Sequence, residues 1–250
     1  MNYFVVTLFP EMVERYVSEA LLGKAQAAGR IAVETITPRD FTKDRHRSVD
    51  DAPYGGGSGM LMMPGPVVDA MEEAERRADA AGTAKPTRVL LSPQGVPFTQ
   101  ARARELAERG ALTLVCARYE GLDERARRQM DLELSLGDFV LMGGEAAALA
   151  VIEATARLVD GVLGNAASTD EESHSHGLLE YPQFTRPAEY RGETVPDVLL
   201  SGNHGKVDAW RRRQSLLRTA RRRPELLAVA SLSDEERRWL ESHEKEETQA

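Results

Sequence analysis

The 250-residue chain has one cysteine, few aromatic residues (6%) and no apolar run long enough to span a bilayer. A lone thiol excludes a disulfide framework within the chain and suits a reducing compartment. That cysteine, Cys116, sits inside Leu112-Thr113-Leu114-Val115-Cys116-Ala117, where it reads as a small core hydrophobe rather than a nucleophile. A membrane helix needs roughly 18 consecutive apolar residues, and none occur, so no membrane partner is expected. The opening Met1-Asn2-Tyr3-Phe4-Val5-Val6-Thr7-Leu8-Phe9-Pro10 lacks the basic region and long apolar stretch of a secretory signal. It reads as a first buried strand, and a cytoplasmic protein is expected. A net charge of -8 argues against a surface that grips nucleic acid everywhere, while leaving room for a local basic stripe.

What is present is enough apolar content, 42%, for one sizeable core and a small second domain. Strand-like and helix-like segments alternate through the first two-thirds. Residues 3–8, 31–36, 88–91, 112–117 and 134–141 read as strands; 11–28, 66–81, 99–109 and 146–159 carry helical spacing. This alternation predicts an α/β fold with a mainly parallel sheet covered by helices on both faces. Composition changes after Gly161: residues 165–175 are small, acidic and aperiodic, as in a linker or lid. From about residue 202 the pattern is helical, over 206–222, 224–229 and 234–243, with Ser233 and Glu236 spaced as a capping box for the last helix. The expected organisation is residues 1–160 as the main domain, 161–176 as a linker and 177–250 as a small all-α domain.

Three features could carry chemistry. The first is the run 44–60, where Gly55, Gly56, Gly57 and Gly59 follow Asp44, Arg45, His46, Arg47, Asp50 and Asp51. No Gly-Lys-Ser/Thr follows, which excludes a phosphate loop, and neither spacing nor context fits a dinucleotide fingerprint. Acid, base and imidazole beside flexible glycines suit RNA backbone and base-edge contacts; the bland reading is a surface loop. The second is a set of three glycine-bearing turns after apolar strands: Leu91-Ser92-Pro93-Gln94-Gly95, Arg118-Tyr119-Glu120-Gly121, and the run from Gly137 to Glu145. In open α/β sheets ligands bind outside the carboxyl ends of strands, and such turns could hold a nucleoside through backbone groups. The third is a basic stripe, Lys206, Arg211, Arg212, Arg213, Arg218, Arg221, Arg222 and Arg223, opposed within the run by Asp208 alone. It reads either as a solvated helix face or as a phosphate track. Trp210 within it reads as core rather than a stacking platform.

Taken in order, Pro38-Arg39-Asp40-Phe41, residues 44–63, 91–95, 118–125, 137–145 and Val198-Leu199-Leu200-Ser201-Gly202-Asn203-His204 resemble the bacterial tRNA (guanine-N1)-methyltransferases that act at position 37, a knotted family of the SPOUT class. The resemblance covers almost the whole chain. It implies a deep trefoil knot in the parallel-sheet domain, a rare exception to unthreaded topology, and a homodimer with active sites between the chains. It implies S-adenosylmethionine held by Leu91, Pro93, Ala117, Tyr119, Glu120, Leu136, Gly137, Asp138, Phe139, Val140, Leu141, Gly143 and Gly144. Ala117 stands where the family has glycine. The tRNA substrate, with G at position 37, would meet Arg45, His46, Asp50, Gly55, Gly56, Gly57, Ser201, His204 and Arg211. Arg157 would stabilise charge on the guanine. The family's basic aspartate matches Glu172 within Ser168-Thr169-Asp170-Glu171-Glu172-Ser173-His174, with Asp170 as the second candidate. A Mg²⁺ requirement would fall on carboxylates such as Glu120. His174 and His176 by themselves do not make a metal site. Two rivals stay open here: a SPOUT enzyme acting on ribose or ribosomal RNA, and an inactive RNA-binding relative.

Overall fold

A computed structural model describes residues 1–164, 172–175 and 177–248. The chain divides into two compact units, Met1–Gly164 and Asn165–Ala250.

The first unit contains β1 (Asn2–Val6), α1 (Pro10–Val17), α2 (Ala20–Ala27), β2 (Ala32–Ile36), the short strands β3 (Asp50–Asp51) and β4 (Leu61–Met62), α3 (Pro64–Ala80), β5 (Thr87–Pro97), α4 (Gln100–Glu108), β6 (Ala111–Cys116), α5 (Glu124–Arg127), β7 (Leu132–Ser135) and α6 (Glu145–Ala156). Five strands form one sheet in the order β2-β1-β6-β5-β7, every neighbouring pair parallel. The two-residue period of a strand explains the layers. Tyr3 and Val5 pack with Val151 and Ile152 of α6, whereas Phe4 and Val6 pack with Val67, Ala70 and Met71 of α3. All of β6 is buried, as a central parallel strand covered on both faces must be. Cys116 belongs to this core, and burial pushes its thiol pKa well up, so it is inert packing.

Three expected boundaries move. The helix expected over 11–28 is two helices. The Gln26 side-chain amide donates to Val17 O at 2.7 Å, closing α1, and Ala20 takes a φ of +49°. The break turns Leu22 and Ala25 inward. The strand expected over 88–91 runs on to Pro97, with a register shift between Leu91 and Val96. Gly95 permits this, because a Cβ there would lie 2.5 Å from the backbone of Glu133 and Leu134. The strand expected over 134–141 stops at Ser135. Ser135 Oγ donates to Gly137 O at 3.0 Å and accepts from Gly137 N at 3.1 Å, turning the chain out of the sheet. Residues 136–144 are a loop, and its apolar residues Phe139, Val140, Leu141 and Met142 are exposed.

The second unit has α7 (Asp197–Leu200), α8 (His204–Arg222), α9 (Pro224–Leu227) and α10 (Asp234–Thr248). Its core gathers Leu178, Leu216, Ala230 and Leu240. The capping box is present: Ser233 N donates to Glu236 Oε2 at 2.7 Å and Glu236 N to Ser233 Oγ at 3.2 Å. The unit is not purely helical. Strands β8 (Glu189–Tyr190) and β9 (Glu193–Thr194) pair antiparallel through Arg191 and Gly192, both with positive φ. Among the described residues no helix is long and apolar enough to cross a membrane.

Candidate active site

Strands β6 and β7 end beside the register shift between Leu91 and Val96 of β5, and the three turns there enclose a cavity of about 280 Å³. A ligand site is expected there because strand ends leave backbone groups unpaired outside the sheet. Leu91 and Pro93 line it from the first turn, Ala117, Tyr119 and Glu120 from the second, and Leu136, Gly137, Phe139, Val140, Leu141, Gly143 and Gly144 from the third. Asp138 is the one expected cofactor residue outside this lining. Residues outside the expected cofactor set also reach the wall, notably Gln94, Arg118 and Arg127. Arg127 Nη1 donates to Gln94 Oε1 at 2.6 Å and to Glu133 Oε1 at 3.1 Å, steadying the first turn.

The third turn is lightly tied. Phe139 N donates to Gly137 O at 2.9 Å and Gly144 N to Ala117 O at 3.0 Å. Among the described residues, the backbone N–H groups of Val140, Leu141 and Gly143 have no protein acceptor. They are available to a nucleoside or an amino-acid carboxylate. The glycines have steric reasons as well. A Cβ on Gly144 would sit 2.7 Å from Cys116 Cα, and one on Gly143 would sit 2.1 Å from Arg118 Nε. Each lets the loop press against β6 or its continuation.

Arg118 and Glu145 form a charged pair behind that loop. Glu145, 1% exposed, opens α6, where the helix N-terminus favours negative charge. Its carboxylate accepts from Thr7 Oγ1 at 2.8 Å and meets Arg118 Nη2 at 2.8 Å. The Arg118 guanidinium also lies 4.4 Å from the centre of the Phe9 ring.

The glycine-rich run adjoins the same cavity. Glu120 N donates to Met60 O at 3.0 Å and Met62 N to Gly121 O at 2.9 Å. Gly59, with φ +85°, leaves room for the Glu120 side chain: a Cβ there would be 2.4 Å from Glu120 Cγ. Tyr119 itself has a φ of +58°. Burial and then hydrogen bonding to Asp50 push its phenol pKa up, so it stays protonated at neutral pH. Asp44 accepts from His46 N at 3.0 Å and from Ser48 N and Oγ, and Arg47 pairs with Asp40. These two hold the loop, whereas Arg45, His46, Gly55, Gly56 and Gly57 are exposed. Tyr54, at its tip, is wholly exposed.

Arg157 lies elsewhere on this unit. Helix α6 begins at the cavity wall and runs back along the sheet. Glu145 meets Thr7 just beyond the end of β1, and Thr155 meets Tyr3 Oη near its start at 2.8 Å. Arg157 caps the far end, about 20 Å from Gly144 at 1.5 Å rise per residue. One chain does not bring it to its own cavity.

In the second unit, Glu172 and Arg211 line one cavity of about 250 Å³ with Tyr181, Asp208 and Arg212. The Arg211 guanidinium stacks 4.8 Å from the Tyr181 ring centre. Ser201 and His204 are exposed at the start of α8. Asp170 and His176 lie outside the described residues. The basic stripe is opposed by more than Asp208: Arg212 Nε meets Glu236 Oε1 at 2.6 Å, Arg223 pairs with Glu225, and Arg218 donates to Glu180 O at 3.2 Å. Part of that charge holds the unit together. Trp210 is half-buried against Phe184, ring centres 6.4 Å apart. Among the described residues no cluster of three or more His, Cys, Asp or Glu is placed to hold a metal ion.

Comparison with known proteins agrees with this arrangement. The family described as tRNA (guanine-1)-methyltransferase TrmD matches residues 1–229. A protein from Anaeromyxobacter sp. (strain K) is 52% identical over 244 residues, spanning 97% of this chain and 97% of its own. One from Sorangium cellulosum (strain So ce56) is 54% identical over 245 residues, 90% of this chain and 93% of its own. One from Geobacillus kaustophilus (strain HTA426) is 47% identical over 247 residues, 98% of this chain and 99% of its own. All three bear the name tRNA (guanine-N(1)-)-methyltransferase. With glycine-walled turns at the ends of a parallel sheet and relatives matched along nearly their full length, this chain belongs to the TrmD family of tRNA (guanine-1)-methyltransferases.

Proposed function

We propose that the chain transfers a methyl group from S-adenosylmethionine to N1 of guanine 37 in tRNA. The observation that carries this reading is the cavity where β6 and β7 end beside the register shift of β5, with Gly59 of the glycine-rich run against Glu120 of its wall. Its size is near the lower end of small-molecule sites, roughly 300 Å³. Its wall offers both parts of such a ligand a place: apolar Leu91, Leu136, Leu141 and Ala147 for an adenine, and the open N–H groups of Val140, Leu141 and Gly143 for polar groups. The bound sulfonium supplies an activated methyl group. The protein's part is alignment, removal of the N1 proton and stabilisation of negative charge on the purine.

Glu172 takes the proton in this reading, with Asp170 as its rival, and Arg157 stabilises the charge. Because Arg157 lies at the opposite end of the sheet from its own cavity, it reaches the reacting guanine from a second copy, and the enzyme is a homodimer. Exposed apolar residues around the cavity mouth suit that role: Val140 is 81% and Met142 92% exposed, with Phe9 and Met12 nearby in the Arg118 cluster. The loop 136–144 returns from β7 to press on the end of β6, across β5, which supports the threaded trefoil of the family. Arg45, His46, Asp50 and the glycines 55–57 meet the anticodon region, and Ser201, His204 and Arg211 of the helical unit meet the tRNA backbone. A Mg²⁺ ion, where the reaction uses one, would draw on the Glu120 carboxylate in the cavity wall.

Single-turnover methylation of a tRNA transcript with G37, with the product nucleoside identified by mass spectrometry, tests the reading. The expected product is 1-methylguanosine, absent when G37 is replaced by A. Glu172→Gln is expected to lower the rate by at least about a hundredfold, the scale of general-base catalysis, and Asp170→Asn to leave it nearly intact. The opposite pattern would transfer the role to Asp170.

A further inference from the structure

We infer that Arg118 and Glu145 are positioning residues that clamp the glycine wall of the cavity, an inference that rests on reading the cavity as the S-adenosylmethionine site. The wall needs such a restraint. The side chains of Val140 and Met142 are largely exposed, and the glycines at 143 and 144 have no side chains to pack. The backbone of the segment is tied to β6 by the Gly144–Ala117 bond.

Arg118 supplies the rest. Its Nη1 donates to Met142 O at 3.4 Å, and its Nε lies buried against Gly143 with no acceptor among the described residues. Its Nη2 meets Glu145, which Thr7 holds from the end of β1. Phe9 covers one face of the guanidinium. One planar side chain therefore joins the ends of β1 and β6, the start of α6 and the wall at 142–143. Its own backbone is fixed as well, with Arg118 N donating to Met62 Sδ at 3.3 Å and Gly121 N donating to Arg118 O at 3.1 Å.

An ion pair with its carboxylate fully buried is poor economy if stability is its only role, because well-packed apolar side chains often serve as well. What apolar side chains cannot do is direct a fork of N–H groups at a carboxylate and a loop carbonyl together. The pair thus sets where the open N–H groups of Val140, Leu141 and Gly143 stand before the cofactor arrives.

Calorimetric titration of the full-length protein with S-adenosylhomocysteine, without tRNA, tests this. Arg118→Met is expected to weaken binding by about ten- to a hundredfold, as loss of supporting partners does around other sites. Arg118→Lys is expected to fall between, since an ammonium can neutralise Glu145 but cannot also span to Met142 O. The double variant Arg118→Met/Glu145→Leu leaves no buried charge unpaired and is expected to fold, yet to bind as weakly as Arg118→Met. Wild-type affinity in the double variant, or in both Arg118 variants, overturns the clamp alone. A wild-type protein that takes up no S-adenosylhomocysteine overturns the cavity reading and the clamp with it.

Discussion

Gly144 shows how one missing Cβ shapes the site. The nearest atom to a side chain there is a main-chain atom of the central strand, 2.7 Å away, which cannot swing aside as a side chain could. Gly144→Ala must therefore move the loop by several tenths of an ångström, and misplacement on this scale is costly where alignment matters. We expect its affinity for S-adenosylhomocysteine, measured by calorimetry, to fall at least about tenfold. Affinity equal to wild type would show that the loop yields freely. Gly143 differs, because the obstacle is the Arg118 side chain. Both glycines stand out in the sequence as a pair after an apolar run, and that pattern marked the site. Nothing in the sequence indicates that a half-buried arginine sits behind one and a strand backbone behind the other.

At the scale of elements, the helical unit carries a pH-sensitive joint. Glu236 closes the capping box of α10 and accepts from Arg212 Nε of α8 at 2.6 Å. The hydrogen bond from Arg212, aided by Ser233, holds its carboxyl pKa below the ordinary glutamate value. A carboxyl pKa lowered by folding contributes stability that is complete above the unfolded value, about 4.3, and is lost as pH falls through the folded value. Thermal melts of the wild type should thus decline as pH falls below about 4 to 5. Glu236→Gln should flatten that part of the decline and lower stability at neutral pH by about 1 kcal/mol. An unchanged pH profile would remove Glu236 from the joint. The capping box was legible because its spacing is local. The link to α8 was not, since Arg212 and Glu236 meet through tertiary packing. The same distinction explains why 11–28 read as one helix: its apolar spacing is continuous, and the break depends on a bond from Gln26 back to Val17.

At the scale of the whole molecule, the separation of Arg157 from its own cavity makes a prediction about two chains. Arg157→Ala and Gly144→Val should each be inactive alone. In a mixture allowed to exchange subunits, a mixed dimer has one complete site, with the cavity of the first variant served by the arginine of the second. Statistical exchange should restore about one quarter of wild-type methylation. No recovery, in a mixture shown by mass spectrometry to contain mixed dimers, would mean that Arg157 acts within its own chain or not at all.

The sequence by itself determined the class of the fold, because strand and helix periods are written locally, and it marked the three turns, because glycine after an apolar run survives any detail of packing. It also carried the family likeness, spread over ordered motifs. Tertiary structure alone decided how those turns close on one cavity, which glycines answer to which neighbour, and that Glu145 lies buried against Arg118 and Thr7. It also placed Arg157 and the cavity at opposite ends of one helix. These are relations between residues far apart in the chain, set by how parallel strands order themselves and which end of a helix faces their tips, and no local pattern records them.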